Sequence, residues 1–80
     1  MEIEITDGAL QNLAALPKRE AAQVLNKIAR LRNGLVGDIK RLHEADYGFR
    51  LRAGRYRVLF DLDGDTIVIQ KIGDRKDVYD

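Results

Sequence analysis

Four arginines, Arg50, Arg52, Arg55 and Arg57, are crowded into the stretch Tyr47–Phe60, which reads YGFRLRAGRYRVLF. No acid interrupts them, and Asp61, Asp63 and Asp65 follow immediately. A guanidinium is planar, permanently charged and forked, so Arg50, Arg52 and Arg57, joined by Arg75 from the C-terminal segment, suit a phosphodiester. They also suit the charge that develops on it as it is cut. Tyr47, Phe49, Tyr56 and Tyr79 are the rings available for stacking on bases, with Tyr79 the least committed to packing. An RNA substrate would bring its own nucleophile, the 2′-hydroxyl. The protein must then orient it, take its proton, stabilise the phosphorane-like charge and see the 5′ oxygen leave. Arginine rarely gives up a proton, which leaves Lys71, Tyr79 and His43 as helpers for the transfers.

Other chemistries find less support. The single histidine, His43, and the absence of cysteine argue against a transition-metal site. The acidic turn Asp61–Asp65 lacks the loop spacing and the glutamate of an EF-hand, so no metal and no cofactor are expected. A chain of 80 residues forms one small domain, and without disulfides its core or a partner must hold it together. The formal charge of +1 says little about nucleic acid, whereas the local run of arginines does. No signal-like segment and no membrane-spanning apolar run are seen, so a cytoplasmic protein without a membrane association is expected.

The elements that must position the arginines follow from periodicity. Met1–Ile5 alternates as a short strand. Thr6 or Asp7 then caps a helix with the stripe Ala9, Leu10, Leu13, Ala14 and Leu16. Pro17 interrupts it and opens a second helix, Lys18–Arg32, with the stripe Ala21, Ala22, Leu25, Ile28 and Ala29. Asn33-Gly34 stops that helix, and an irregular connection follows, anchored by Ile39 and Leu42 with Lys40 and Arg41 exposed. Two strands then flank a bend at Ala53-Gly54. Tyr56, Val58 and Phe60 share one face, and Arg55 and Arg57 the other, which brings Arg50 or Arg52 beside Arg57. Such like charges cost stability unless solvent or an anion offsets them. Asp63-Gly64 reverses the chain into TIVIQKI, Thr66–Ile72, with Ile67, Ile69 and Lys71 on one face and Val68 and Ile72 on the other. Gly73-Asp74 ends this strand. The covering helices suffice for one sheet face only, leaving part of the second as a groove or a partner surface.

YGFRLRAGRYRVLF followed by TIVIQKIGDRKDVY resembles the RelE/ParE superfamily of type II toxins over essentially the whole chain. The most specific stretches are RLRxGxYRVLF at 50–60 and GxRxxVY at 73–79, and Lys40-Arg41-Leu42 is similar to the family's K-x-L element. The resemblance implies an α/β (α+β) fold: a small twisted, mainly antiparallel four-stranded sheet against an N-terminal two-helix hairpin, in the order β-α-α-β-β-β. It implies a toxin component of a toxin–antitoxin system, and within the RelE branch a metal-independent endoribonuclease that cuts mRNA in the ribosomal A site by 2′-hydroxyl attack. Arg50, Arg57, Arg75 and Tyr79 match the family's catalytic positions: Arg57 would clamp the scissile phosphate and Arg75 assist the leaving oxygen. Lys40, Arg52, Arg55, Lys71 and Lys76 would bind substrate. Three positions depart from the pattern, with Arg50 in place of a lysine tied to proton abstraction, Gly48 where some members carry another lysine, and Asp74 where many carry histidine or lysine. The implied partners are a cognate antitoxin, in a possible heterotetramer, and the ribosome with its mRNA. The same resemblance leaves open a ParE-like inhibitor of DNA gyrase and an inactive, antitoxin-binding regulatory protein.

Overall fold

Thr6 marks the first change of direction: its extended backbone closes a strand while its Oγ1 accepts the Ala9 N–H at 3.2 Å, capping the helix that follows. The computed structural model describes residues 1–78. In chain order these form β1 (Glu2–Ile5), α1 (Asp7–Ala14), α2 (Lys18–Ala29), a 3₁₀ turn (Arg30–Asn33), β2 (Ile39–Arg41), β3 (Phe49–Ala53), β4 (Tyr56–Asp63) and β5 (Thr66–Asp74). The strands make one sheet in the order β1-β5-β4-β3-β2, parallel only where β1 meets β5.

The sheet therefore has five strands where the sequence leads one to expect four. The extra one is β2, the Ile39–Arg41 part of the supposedly irregular connection. Three residues are too few to display a period, and β2 is a strand because β3 offers it a backbone ladder: Ile39 pairs with Leu51, Lys40 with Arg50 and Arg41 with Phe49.

The helices also turn differently on their axes from the expected stripes. Leu10 and Leu25 are exposed, whereas Ala9, Leu13, Val24, Ile28 and Leu31 are buried. α2 ends at Ala29 and tightens into the 3₁₀ turn, which carries Leu31 under the sheet. Against this helical layer the sheet presents Leu51, Ala53, Tyr56, Val58, Phe60, Ile67, Ile69 and Ile72. Phe60 is fully buried, its ring stacked on Phe49 with centroids 5.2 Å apart. The Tyr56 hydroxyl donates to the Glu20 carboxylate and ties β4 to α2; the Asn12 side chain accepts the Ile72 N–H at 3.0 Å and ties β5 to α1.

A bulge explains a second departure. Leu59 pairs with Lys71 but Phe60 with Ile69, so Gln70 is an extra residue on β5. Past it the alternation inverts: Ile67, Ile69 and Ile72 all face the helices, and Lys71 faces away from them. Strict alternation would have put Lys71 with Ile67 and Ile69.

Candidate functional site

The face of the sheet turned away from the helices gathers the basic residues, and the reason lies in the β3–β4 turn. Gly54 and Arg55 form a two-residue loop with φ of +63° at Gly54, the first loop position, where a type II′ turn favours glycine. This loop sets Ala53 opposite Tyr56 and, one step further, Arg52 opposite Arg57. The register then puts Lys40, Arg50, Leu59 and Lys71 in one row across β2, β3, β4 and β5, with Arg52, Arg57 and Gly73 in the next. Directly opposed side chains in such pairs lie roughly 5 Å apart at Cβ, so the two arginines share one patch of potential.

Burial sharpens that potential. Arg50 is 3% exposed and Arg57 8%, and a guanidinium so placed must be ion-paired or hydrogen-bonded. Asp38 meets the need on one side, its carboxylate 3.8 Å from Arg50 and 3.5 Å from Arg52, while its carbonyl accepts the Arg52 N–H at 3.0 Å. Arg57 Nη1 donates to the carbonyls of Gly54 at 2.9 Å and Tyr56 at 3.0 Å. The guanidinium groups of the patch are thus held by Asp38 and by backbone carbonyls.

Beside the rows lies an open hollow of about 590 Å³, bounded by Lys40, His43, Tyr47, Leu59, Lys71 and Val78. Leu59 and Val78 are buried yet stand apart from the helix-side core, giving this face an apolar floor between its two lysines. The C-terminal segment makes part of that floor by folding back over Gly73, where an added Cβ would overlap the Val78 side chain.

No family model matches the chain. The RelE3 toxin of Methanocaldococcus jannaschii is 38% identical to it over 48 residues, 60% of this chain and 54% of that protein, so the chain spans about half the length of the relative it matches. Among solved structures, the RelBE2 toxin–antitoxin complex of Mycobacterium tuberculosis superposes with a TM-score of 0.78 and 28% identity, covering 92% of this chain and 96% of that one. The archaeal RelE–RelB complex of Pyrococcus horikoshii superposes with a TM-score of 0.79 and 24% identity over 96% of this chain and 97% of that one. The chain has the RelE-like toxin fold and is related in sequence to the RelE/ParE superfamily.

On this RelE-like fold the residues singled out by sequence divide into groups. Lys40, Arg50, Arg52, Arg57 and Lys71 lie together on the open face. Arg55 does not join them: the turn takes it out of the strand alternation, its Nε donates to Asp74 Oδ2 at 2.8 Å, and its guanidinium carbon stands 5.8 Å from the centre of the Tyr56 ring. The hydrogen bond and charge of Asp74 raise the Arg55 pKa further above its ordinary value. Arg75 is exposed beside the same turn, its N–H donating to the Arg55 carbonyl at 2.9 Å. Lys76 is exposed and donates its N–H to Asp74 Oδ1 at 3.0 Å. Tyr79 lies outside the described residues. Phe49 and Tyr56 are taken up by the helix side, which leaves Tyr47, half-buried at the hollow, as the ring nearest the open face among the described residues. Gly48 donates its N–H to Asp61 at 2.7 Å.

Sequence reasoning passed over Asp38. It sits in a glycine-bounded connection with no periodic signal, and only the pairing of β2 with β3 carries it to Arg50 and Arg52. Among the described residues no cluster of histidine, cysteine and carboxylate side chains is arranged to hold a metal, and no helix is long and apolar enough to cross a membrane.

Proposed function

We propose that this chain is the toxin of a type II toxin–antitoxin system, acting in the cytoplasm as a ribosome-dependent endoribonuclease that cuts mRNA in the A site. The observation that carries the reading is the facing pair Arg52 and Arg57 with Arg50 one step away on the uncovered side of a RelE-like sheet. The RelBE2 neighbour is a toxin–antitoxin complex, which supports a cognate antitoxin as partner here.

In this reading the RNA backbone lies across the two basic rows. Arg50 and Arg52 orient the phosphate and Arg57 stabilises the negative charge that grows on its oxygens as the 2′-oxygen bonds to phosphorus. The bond from phosphorus to the 5′ oxygen breaks, and Arg75, on the segment next to the turn, stabilises the departing oxygen until it takes a proton from water. The 2′-hydroxyl proton goes to Asp38, the carboxylate standing against Arg50 and Arg52. This assignment relieves Arg50 of a base role that an arginine performs poorly. Tyr79 and Lys76, on the C-terminal segment, are assigned to the bound nucleotides, as are Lys40 and Lys71 at the rims of the hollow.

Toeprinting on programmed ribosomes tests the reading. Purified, antitoxin-free protein is expected to cut mRNA in the A site and Arg57→Ala to leave it intact. Absence of cutting at every codon by the wild type rejects it, and inhibition of gyrase supercoiling by the same preparation would move the assignment to the ParE type.

A further inference from the structure

Asp74 ties the β3–β4 turn to the segment that follows β5. Its Oδ2 accepts from Arg55 Nε in the β3–β4 turn, its Oδ1 accepts the Lys76 N–H, and its carbonyl accepts the N–H groups of Asp77 at 2.8 Å and Val78 at 3.0 Å. Between these bonds Arg75 donates its own N–H to the Arg55 carbonyl, which extends the β4–β5 ladder by one residue beyond Asp74. The chain then turns back on itself and lowers Val78 onto Gly73, a neighbour of Arg57 in the ladder. Val78 is 3% exposed, although it belongs to no helix or strand.

A segment outside helix and strand keeps one position only where something ties it down. Here the tie is a side chain that grips the turn with one oxygen and the tail with the other, and a glycine that leaves room for the tail to settle. We infer that Asp74, with Gly73 beneath Val78, is a positioning residue that clamps residues 75–78 against the basic face and so fixes Arg75 relative to Arg57. The inference rests on the RNA-cutting reading above. It also gives a purpose to a carboxylate beside a site meant for phosphate, where its charge alone would repel the substrate. Asp74 spends that charge on Arg55 and on the Lys76 amide, both off the basic rows.

Two substitutions loosen the same tail by different routes, and two further variants retain or restore it. Asp74→Ala removes both side-chain acceptors, whereas Asp74→Asn retains an oxygen for the Lys76 N–H. Gly73→Ala pushes Val78 off the sheet, and adding Val78→Ala removes the methyl it strikes, leaving the nearest remaining atom at 3.8 Å. Amide hydrogen exchange on the full chain should rise about tenfold at Lys76 and Val78 in Asp74→Ala and in Gly73→Ala, with β3 and β4 unchanged. On programmed ribosomes the same two variants should lose about tenfold in kcat with KM nearly constant. Asp74→Asn and the Gly73→Ala/Val78→Ala pair should recover most of both losses. Wild-type exchange rates in Asp74→Ala would overturn the clamp. Faster exchange with undiminished kcat, in a wild type that cuts, would overturn the positioning role alone. A wild type that cuts nothing removes the function reading and the inference with it.

Discussion

The two faces of the β3–β4 hairpin are built from alternate residues of the same few turns of chain, and they are held by opposite physics. On one face Leu51, Ala53, Tyr56, Val58 and Phe60 are sealed by the helices and contribute by leaving water. On the other Arg50, Arg52 and Arg57 are crowded together at a cost that Asp38 and backbone carbonyls relieve. Because side-chain direction has a period of two, neither face can be changed by sliding the strand without ruining the other. The covered face thus sets the register that keeps the arginines opposed, and the open face uses it.

Breaking each face should give separable losses. Phe60→Ala is expected to have the largest effect, about 3–5 kcal/mol of stability, read as a fall in the denaturant midpoint, with cutting per folded molecule unchanged. Arg57→Ala should reverse the pattern, lowering the cleavage rate by about 10²–10³ as loss of a donor to a developing oxyanion does, with a much smaller change in midpoint. Asp38→Asn is expected to lower kcat by about 10² while strengthening RNA binding, since it removes both a proton acceptor and a charge that competes with phosphate for Arg50 and Arg52. Stronger binding at an undiminished kcat would make Asp38 a competitor only. Arg52→Ala should weaken binding of single-stranded RNA about equally for all sequences and reduce the salt slope by about 0.7, the share of one phosphate contact.

The smallest effect concerns pH. The Lys76 N–H and the Arg55 guanidinium hold the Asp74 carboxyl below the usual carboxylate range. Its contribution to the tail is therefore complete above the unfolded value, about pH 4, and is lost only as the pH drops through the lowered folded value. Amide shifts of Lys76 and Val78 should stay constant from neutral pH down to about 4 and move only in stronger acid. Movement between pH 5 and 7 would mean that another group governs the tail.

Much of this molecule is legible in the sequence, unevenly so. Alternation in Tyr47–Phe60 and the two glycine turns identify the hairpin and its basic side, because both signals are local. β2 is not legible, since three residues carry no period and the strand exists through its partner. The inversion at Gln70 escapes for a related reason: a bulge is a property of two strands and leaves no mark on one. Leu10 and Leu25 mislead because an apolar residue next to a stripe resembles a member of it, and only the packing angle of each helix decides. At the site, Arg50, Arg52 and Arg57 follow from alternation, whereas Arg55 depends on which two residues make the turn. Asp38 acts across a long sequence separation and carries no local signal, whereas Asp74 reads locally as a strand end and only its bond to Arg55 depends on the β4–β5 ladder.

Whether phosphate is received on the uncovered side of the sheet can be read from arginine side-chain NMR signals as a non-cleavable 2′-O-methyl RNA is added. The Nε–H signals of Arg50, Arg52, Arg57 and Arg75 should move together at one RNA concentration while those of Arg19 and Arg30 on α2 and the turn after it stay still. Movement confined to Arg19 and Arg30, with the sheet arginines unchanged, would contradict phosphate reception on that side.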